Sequence, residues 1–196
     1  MTSPKLFAES TQYYTSDELR AGGFRSVGED VRIARNCVII GEENIHIGNH
    51  VRIDGFCTII ATGRLHLGSY IHIGSYCHLS AGEGIVLEDF CGLSQGVYIY
   101  SRSDDYSGAN LTNPMVPSRY TSAHKGEVVL KRHVIIGAQS VVLPRVTIGE
   151  GSAVGALSLV RSSLDSWGLY GGNPVRRLKD RSRHLLELEK AFSDQQ

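Results

Sequence analysis

An aliphatic side chain returns at every sixth position of HVIIGAQSVVLPRVTIGEGSAVGALSLV, the stretch from His133 to Val160. An amphipathic helix repeats its apolar face in steps of three and four residues, and a half-buried strand repeats it at every second residue. A period of six matches neither pattern alone. It matches short strands separated by turns, each with one side chain pointing inward. The aliphatic residues concerned are Ile136, Val142, Ile148, Val154 and Val160.

Upstream, the same pattern has a longer repeat of 20 residues, within which the aliphatic positions are separated by steps of six, six and eight. Three aliphatic columns result: Val27, Ile47, Leu67 and Leu87; Ile33, Ile53, Ile73 and Leu93; Ile39, Ile59, Leu79 and Ile99. Repeats of this kind stack side by side, and their inward residues form one continuous core. The sequence therefore predicts an all-β fold, a left-handed parallel β-helix of hexapeptide repeats.

A solenoid needs caps because its terminal coils would otherwise expose their core. Residues 1–26 are predicted to form an N-terminal cap segment, with a short helix that begins after Thr15. The β-helix is predicted over residues 27–165. Residues 166–196 are predicted to form a C-terminal turn and an amphipathic α-helix from Val175 to Phe192.

The repeat stops between Ile99 and Leu130, where 31 residues replace a step of eight. About 23 residues are therefore extruded from the coil, and we place this loop at residues 100–127. Its aspartates, tyrosines and His124 make it too rich in aromatic and chemically active side chains for a simple linker. We expect a functional loop; the alternative is a loop that only wedges against a neighbouring subunit.

Cysteines and histidines raise the questions of disulfides and of zinc. Three cysteines 20 residues apart share one inward column, which favours core packing over a disulfide: Cys37, Cys57 and Cys77. Histidines six residues apart point from different faces of the coil: His66, His72 and His78. Residues that stack are 20 apart, as in His46 over His66. Because zinc needs three or four convergent ligands, we expect no metal site.

The composition of the chain limits which binding partners and which cellular location we expect. The 20 basic residues balance the 20 acidic ones, which gives no reason to expect a nucleic-acid partner. The first 20 residues lack the apolar segment of a signal peptide. No run approaches the ~18–20 apolar residues of a membrane span. We therefore expect a cytoplasmic protein.

Several segments carry a resemblance to a known family: SRSDDYSG, NPMVPSRYT, HVIIGAQSVVLPRVTIGEGSAVGALSLV and WGLYGGNPVRRLKDR. From Tyr13 to Leu188 the chain resembles the hexapeptide-repeat acyltransferases. Among them it is similar to sugar O-acetyltransferases of the galactoside and maltose type, in a branch that acts in O-antigen and capsule synthesis. The resemblance implies transfer of an acetyl group from acetyl-CoA to a sugar hydroxyl. It also implies a homotrimer with active sites at the subunit interfaces.

The resemblance also implies donor-binding residues. Coil residues whose backbone meets the pantetheine arm of acetyl-CoA match Gly137, Ala138, Gly155 and Ala156. The basic residues that face the nucleotide phosphates match Arg176 and Lys179, a task suited to these side chains. The alternative for both basic residues is a solvated helix face.

The general base has several candidates, because the family's loop histidine falls on Asp104 here, with Asp105 beside it. A sugar hydroxyl needs a base that removes its proton as the new bond forms. A buried carboxylate could serve, and so could His124 in the same loop or His78 beside the loop's root. An amine acceptor would need much less help.

Four functions follow. The leading one is sugar O-acetylation, and its alternative is N-acetylation of a nucleotide-linked amino sugar. A γ-type carbonic anhydrase shares the fold, but its histidine spacing is absent. A trimeric scaffold without catalysis is the alternative that is not an enzyme.

Overall fold

The computed structural model describes residues 12–195, which form a left-handed parallel β-helix with three sheets. Sheet 1 contains Tyr13–Tyr14, Arg32–Ala34, Val51–Ile53, Ile71–Ile73, Gly92–Leu93, Ile135–Ile136, Ala153–Val154, Gly168–Gly171 and Arg176–Asp180. Sheet 2 contains Val38–Ile40, Thr58–Ile60, His78–Ser80, Tyr98–Tyr100, Val141–Val142 and Leu159–Val160. Sheet 3 contains Ser26–Val27, Ile45–Ile47, Leu65–Leu67, Ile85–Leu87, Val128–Leu130 and Thr147–Ile148.

The core consists of the predicted aliphatic columns, stacked in register. In sheet 1, Ile73 lies between Ile53 and Leu93 and has no exposed surface. Full burial of such a side chain stabilises the fold by about 1.5–3 kcal/mol. Val27 and Ile39, in the first coil, are only partly buried because no complete coil lies beneath them. The predicted columns are confirmed.

The cysteines of the inward column pack in this core as free thiols. The Cys57 thiol donates a hydrogen bond to the Gly74 carbonyl at 3.2 Å, and the Cys77 thiol donates to the Ser94 carbonyl at 3.1 Å. Each thiol thus bonds the backbone of the next coil, which confirms the predicted packing role.

At the N-terminal end, the predicted short helix spans Ser16–Ala21. The Thr15 hydroxyl accepts a hydrogen bond from the Glu18 amide, and the Glu18 carboxylate accepts one from the Thr15 amide at 2.8 Å. This capping box satisfies amides that the first helical turn leaves without partners. Tyr13–Tyr14 adds an antiparallel strand beside Ile33 and Ala34.

At the C-terminal end, the predicted helix from Val175 to Phe192 is wrong in its extent. Arg176–Asp180 forms a strand antiparallel to Gly168–Gly171, and the helix spans only Leu185–Ser193. The last coil leaves backbone amides and carbonyls unpaired at its edge, and this strand satisfies them. Ladder hydrogen bonds therefore override the helical preference of the Arg- and Lys-rich sequence.

The extruded loop is a hairpin. Arg102–Asp104 pairs antiparallel with Ala123–Lys125, and the Gly126 amide closes the base by donating to the Ser101 carbonyl at 3.0 Å. Two 3₁₀ turns occur in the described chain, Glu42–Asn44 and, in the loop, Ser118–Tyr120. No helix among the described residues is long and apolar enough to cross a membrane.

Rings stack along two corners of the coil, at positions with positive φ. Between sheets 3 and 1, the rings of His50, Tyr70, Phe90 and His133 follow one another at centroid distances of 4.8, 4.8 and 5.1 Å. Phe56 and Tyr76 stack at 5.1 Å between sheets 1 and 2. We call these the first and second corner ladders. The predicted stack of His46 on His66 is confirmed, and His50 on Tyr70 follows the same spacing of 20 residues.

Ile73→Asp should abolish soluble expression, because it places an unpaired carboxylate in the shared core. Ile135→Asp is the matched control, since this isoleucine lies on a strand of the same sheet and is 44% exposed. Soluble yield and urea unfolding measure both variants. A soluble Ile73→Asp variant that unfolds cooperatively near the wild-type midpoint would contradict the core register.

Candidate active site

The hairpin brings three of the four predicted catalytic residues to one place. Ser103 pairs with His124, and Asp104 pairs with Ala123, so the two candidate side chains belong to facing strands. Asp104, Asp105 and His124 line a cavity of about 680 Å³, which Arg145 also borders. The cavity has both polar and apolar walls, is open to solvent and is large enough for a sugar.

Asp104, like His124, is an exposed residue of the hairpin and remains available to a ligand. The Asn113 amide donates a long hydrogen bond of 3.4 Å to Asp104 Oδ2. The side chain is on an exposed position of the hairpin. Asp104 also lines a second cavity, of about 570 Å³, together with Ser80 and Tyr100. It therefore lies in the wall between two cavities.

Asp105 is committed to the loop itself. Its Oδ1 accepts a hydrogen bond from the Ser107 amide at 2.7 Å, and its Oδ2 accepts one from the Asn110 side chain at 2.9 Å. These hydrogen bonds from Ser107 and Asn110 lower the pKa of the carboxyl to about 2. A carboxylate so stabilised is a weak base, so its geometry favours a structural role.

His78 lies apart from this cluster, on the outer face of sheet 2. Its ring is 6.1 Å from the Tyr98 ring and 5.4 Å from the Tyr100 ring, between centroids. Burial lowers the pKa of this half-buried histidine, so its imidazole is neutral at pH 7. Tyr100 in turn borders the cavity that contains Asp104. His78 therefore contacts the tyrosine rings beside the candidate site but lines neither of its two cavities.

The predicted donor-binding residues of the coils lie side by side on two successive turns. Val154 follows Ile136 in the ladder, and the Leu157 amide donates to the Ala138 carbonyl at 2.9 Å. A Cβ at Gly137 would meet the Ala156 nitrogen at 2.4 Å, so the close approach of the turns requires glycine there. Ala138 is half-buried and Ala156 exposed, which leaves a shallow open surface along these turns.

Arg176 and Lys179 lie on the strand that caps the last coil. The alternative of a helix face is therefore wrong for both residues. Arg177 pairs with Asp180 at 2.8 Å, whereas neither Arg176 nor Lys179 forms an ion pair within residues 12–195. Both are exposed, so both charges are available to an anionic group.

A third cavity, of about 390 Å³, was not expected from the sequence. It opens at the second corner ladder and is lined by Tyr76, Gln95, Gly96, Tyr98, Ala138 and Gln139. The signal was present in the 20-residue repeat, where the ring positions 56 and 76 are followed by glycine at 96. This corner column lies outside the aliphatic columns on which the predicted fold and site were based.

In the described part of the chain, no group of three or more His, Cys, Asp or Glu side chains is arranged to hold a metal ion.

No family model matches the chain. Among curated proteins, a dTDP-4-amino-4,6-dideoxy-D-glucose acyltransferase from Escherichia coli is 42% identical over 181 residues, which cover 92% of this chain and 94% of that protein. A putative lipopolysaccharide biosynthesis O-acetyl transferase, WbbJ, from Escherichia coli strain K12 is 31% identical over 81 residues, 41% of each chain.

Among solved structures, a variant of AntD, an N-acyltransferase from Bacillus cereus, superposes with a TM-score of 0.91. It is 45% identical, the match covers 94% of this chain and 98% of AntD, and that structure contains dTDP-4-amino-4,6-dideoxyglucose and coenzyme A. A hexapeptide-repeat acetyltransferase from Vibrio cholerae is 21% identical with a TM-score of 0.56 over 85% of this chain and 78% of its own, a likeness of fold alone.

Proposed function

The chain belongs to the hexapeptide-repeat acyltransferases, and we propose that it transfers an acyl group from an acyl-CoA to the amino group of a dTDP-linked 4-amino-4,6-dideoxyhexose. The observation that carries the proposal is the 42% identity with an acyltransferase of this substrate class along 94% of that enzyme. The comparisons favour this alternative over sugar O-acetylation.

The chemistry of an amine acceptor fits the residues of the loop. An unprotonated amine attacks a thioester carbonyl through its own lone pair, the C–N bond forms, and the C–S bond breaks to release coenzyme A. The nitrogen loses one proton in this step, and the departing sulfur takes one up to leave as the thiol of coenzyme A. A hydroxyl would need a strong base as it attacks, whereas an amine needs only a group that orients it and accepts hydrogen bonds. This explains why an aspartate can stand where related O-acetyltransferases have a histidine.

We assign that orienting role to Asp104. Its carboxylate is open to both loop cavities and has spare hydrogen-bond acceptors. Solved AntD variants carry a substitution at one serine or one aspartate, ten positions apart in that protein. In the present sequence, Ser94 and Asp104 are the one serine–aspartate pair in this order with that spacing. The match supports both residues as members of the site.

The donor is proposed to lie along the C-terminal coils. The turns of Gly137–Ala138 and Gly155–Ala156 offer a smooth surface to the pantetheine arm, and Arg176 and Lys179 offer charge to the phosphates. An AntD structure contains 3-hydroxybutyryl-CoA, so we do not restrict the acyl group to acetyl.

The decisive assay incubates the purified protein with acetyl-CoA or 3-hydroxybutyryl-CoA and dTDP-4-amino-4,6-dideoxyglucose. We expect thiol release and a nucleotide sugar that gains one acyl mass on nitrogen. Asp104→Asn should lower kcat roughly 10–100-fold, less than the roughly 10²–10⁴-fold effect of losing a full general base. Acyl-CoA binding should be unchanged.

Asp17→Asn serves as control, because Asp17 is an exposed aspartate on the N-terminal helix. Acylation of simple glycosides but not of the amino sugar would overturn the proposal. If His124→Ala abolishes turnover while Asp104→Asn does not, the role belongs to His124.

Arg176→Ala and Lys179→Ala should each raise the KM for the acyl-CoA on the order of tenfold, because each removes a charge-assisted contact. The KM for the nucleotide sugar should not change. Lys190→Ala, an exposed lysine on the C-terminal helix, is the control. Steady-state kinetics with an acyl-CoA and with the corresponding acyl-dephospho-CoA show whether the lost contact is to the 3′-phosphate. Equal losses with both donors would show that these residues do not contact the 3′-phosphate.

We propose that the protein forms a homotrimer, in which the subunits contact one another through the outer face of sheet 2. Val38 is 53% exposed, Ile40 is 50% exposed and Tyr98 is 39% exposed, which makes this face unusually apolar for free surface. Sedimentation equilibrium should return three times the chain mass of 21.4 kDa, and Ile40→Asp should lower it. A wild-type monomer at micromolar concentration would contradict the assembly.

A further inference from the structure

The second corner ladder is interrupted at Gly96. The rings of Phe56 and Tyr76 stack with an interplanar angle of 6°, and the next two corner positions are Gly96 and Gln139. The Gln139 amide donates to the Gln95 carbonyl at 2.9 Å, which places these turns on adjacent coils. The first corner ladder, by contrast, continues through four rings without a gap. The second ladder therefore stops after two rings, at a position that has no side chain.

The gap has the dimensions of one ring. Adjacent coils are separated by about 4.8 Å, so Tyr76 and Gln139 are about 9.6 Å apart across the glycine. One face of the Tyr76 ring is covered by Phe56, and the residue is still 59% exposed. The resulting cavity of about 390 Å³ combines the rings of Tyr76 and Tyr98 with the amides of Gln95 and Gln139. Such a lining suits a ring that has one apolar face and polar edges.

The gap also adjoins the candidate site. Gly96 is two residues after Ser94, and the Tyr98 ring at the edge of the gap stacks on Tyr100 at 6.3 Å. Tyr100 lines the cavity that contains Asp104. A ligand in the gap is therefore connected to the candidate site through two adjacent tyrosines.

We propose that the gap at Gly96 is the seat of the acceptor's sugar ring, stacked on Tyr76 with its hydroxyls toward Gln95 and Gln139. This rests on the proposed function, which makes Ser94 and Asp104 members of the acceptor site. The sugar carries the reacting amine, whereas the diphosphate separates the thymine from the sugar. A 4,6-dideoxyhexose has a methyl group and an apolar C–H face, which match the tyrosine rings.

Gly96→Phe tests the seat directly, because it adds a ring where the second ladder stops. The backbone should accept the change: φ is +66° at Gly96 and 62° and 63° at Phe56 and Tyr76, and an added Cβ would meet its nearest atom, Gln139 Cγ, at 3.5 Å. We expect the melting temperature to be maintained or raised. Calorimetry should show the affinity for dTDP-4-amino-4,6-dideoxyglucose reduced on the order of tenfold or more. Binding of dTDP alone and of CoA should stay at the wild-type level.

The matched control is Asp30→Phe, which adds a ring at a positive-φ position of the first corner ladder, beside His50 and outside the candidate site. It should leave nucleotide-sugar binding unchanged. Tyr76→Ala provides a second variant that does not touch the glycine, and it should weaken the same ligand selectively. Gly96→Ala should give a smaller loss than Gly96→Phe, since a methyl group fills only part of the gap.

Three results would overturn the proposal. Unchanged nucleotide-sugar affinity in folded Gly96→Phe would show that the sugar is elsewhere. An equal loss of affinity for dTDP alone would place the thymine in the gap. A loss of affinity confined to acyl-CoA would place the acyl chain there. The binding measurements need no turnover. A wild-type protein that binds the nucleotide sugar but does not acylate it would therefore overturn the proposed function and leave the seat supported.

Discussion

The in-register stacking of coils is the constraint on which the rest of this structure depends. Each short strand forms hydrogen bonds with the equivalent strands of the coils before and after it, so an inward isoleucine such as Ile73 must meet an inward aliphatic on both sides. A shift of one residue would turn a whole column toward solvent. The same register aligns the corners, and it therefore also determines which rings, glycines and alanines become neighbours on successive coils.

The sequence predicts those parts of the fold that repeat. Ile33, Ile53 and Ile73 recur at a fixed period, and their burial follows from the period alone. The strand Arg176–Asp180 could not be predicted in this way, because it occurs once and its conformation is determined by an unpaired edge of the last coil. Local helical preference indicated the wrong element there. A tertiary requirement for backbone partners decided the outcome.

The candidate site was likewise predictable from the sequence only in part. The interruption of the repeat located the hairpin, and position within it indicated Asp104. The difference between Asp104 and Asp105 required the structure, because it depends on the hydrogen bonds that Ser107 and Asn110 donate to one carboxylate and not to the other. The cavity at Gly96 is encoded in the sequence as an omission: a residue without a side chain stands where the preceding coils have rings.

Both ends of sheet 1 are closed by strands that run against the direction of the coils, Tyr13–Tyr14 at one end and Arg176–Asp180 at the other. A bare coil would present a parallel edge to the opposite end of another molecule, which is a template for head-to-tail filaments. An antiparallel terminal strand offers the wrong hydrogen-bonding direction for continuation of the helix. The five consecutive residues of the second strand are exposed and four of them are charged, so pairing at this edge would require their desolvation. The repeat that builds the solenoid is thereby prevented from propagating into a fibre.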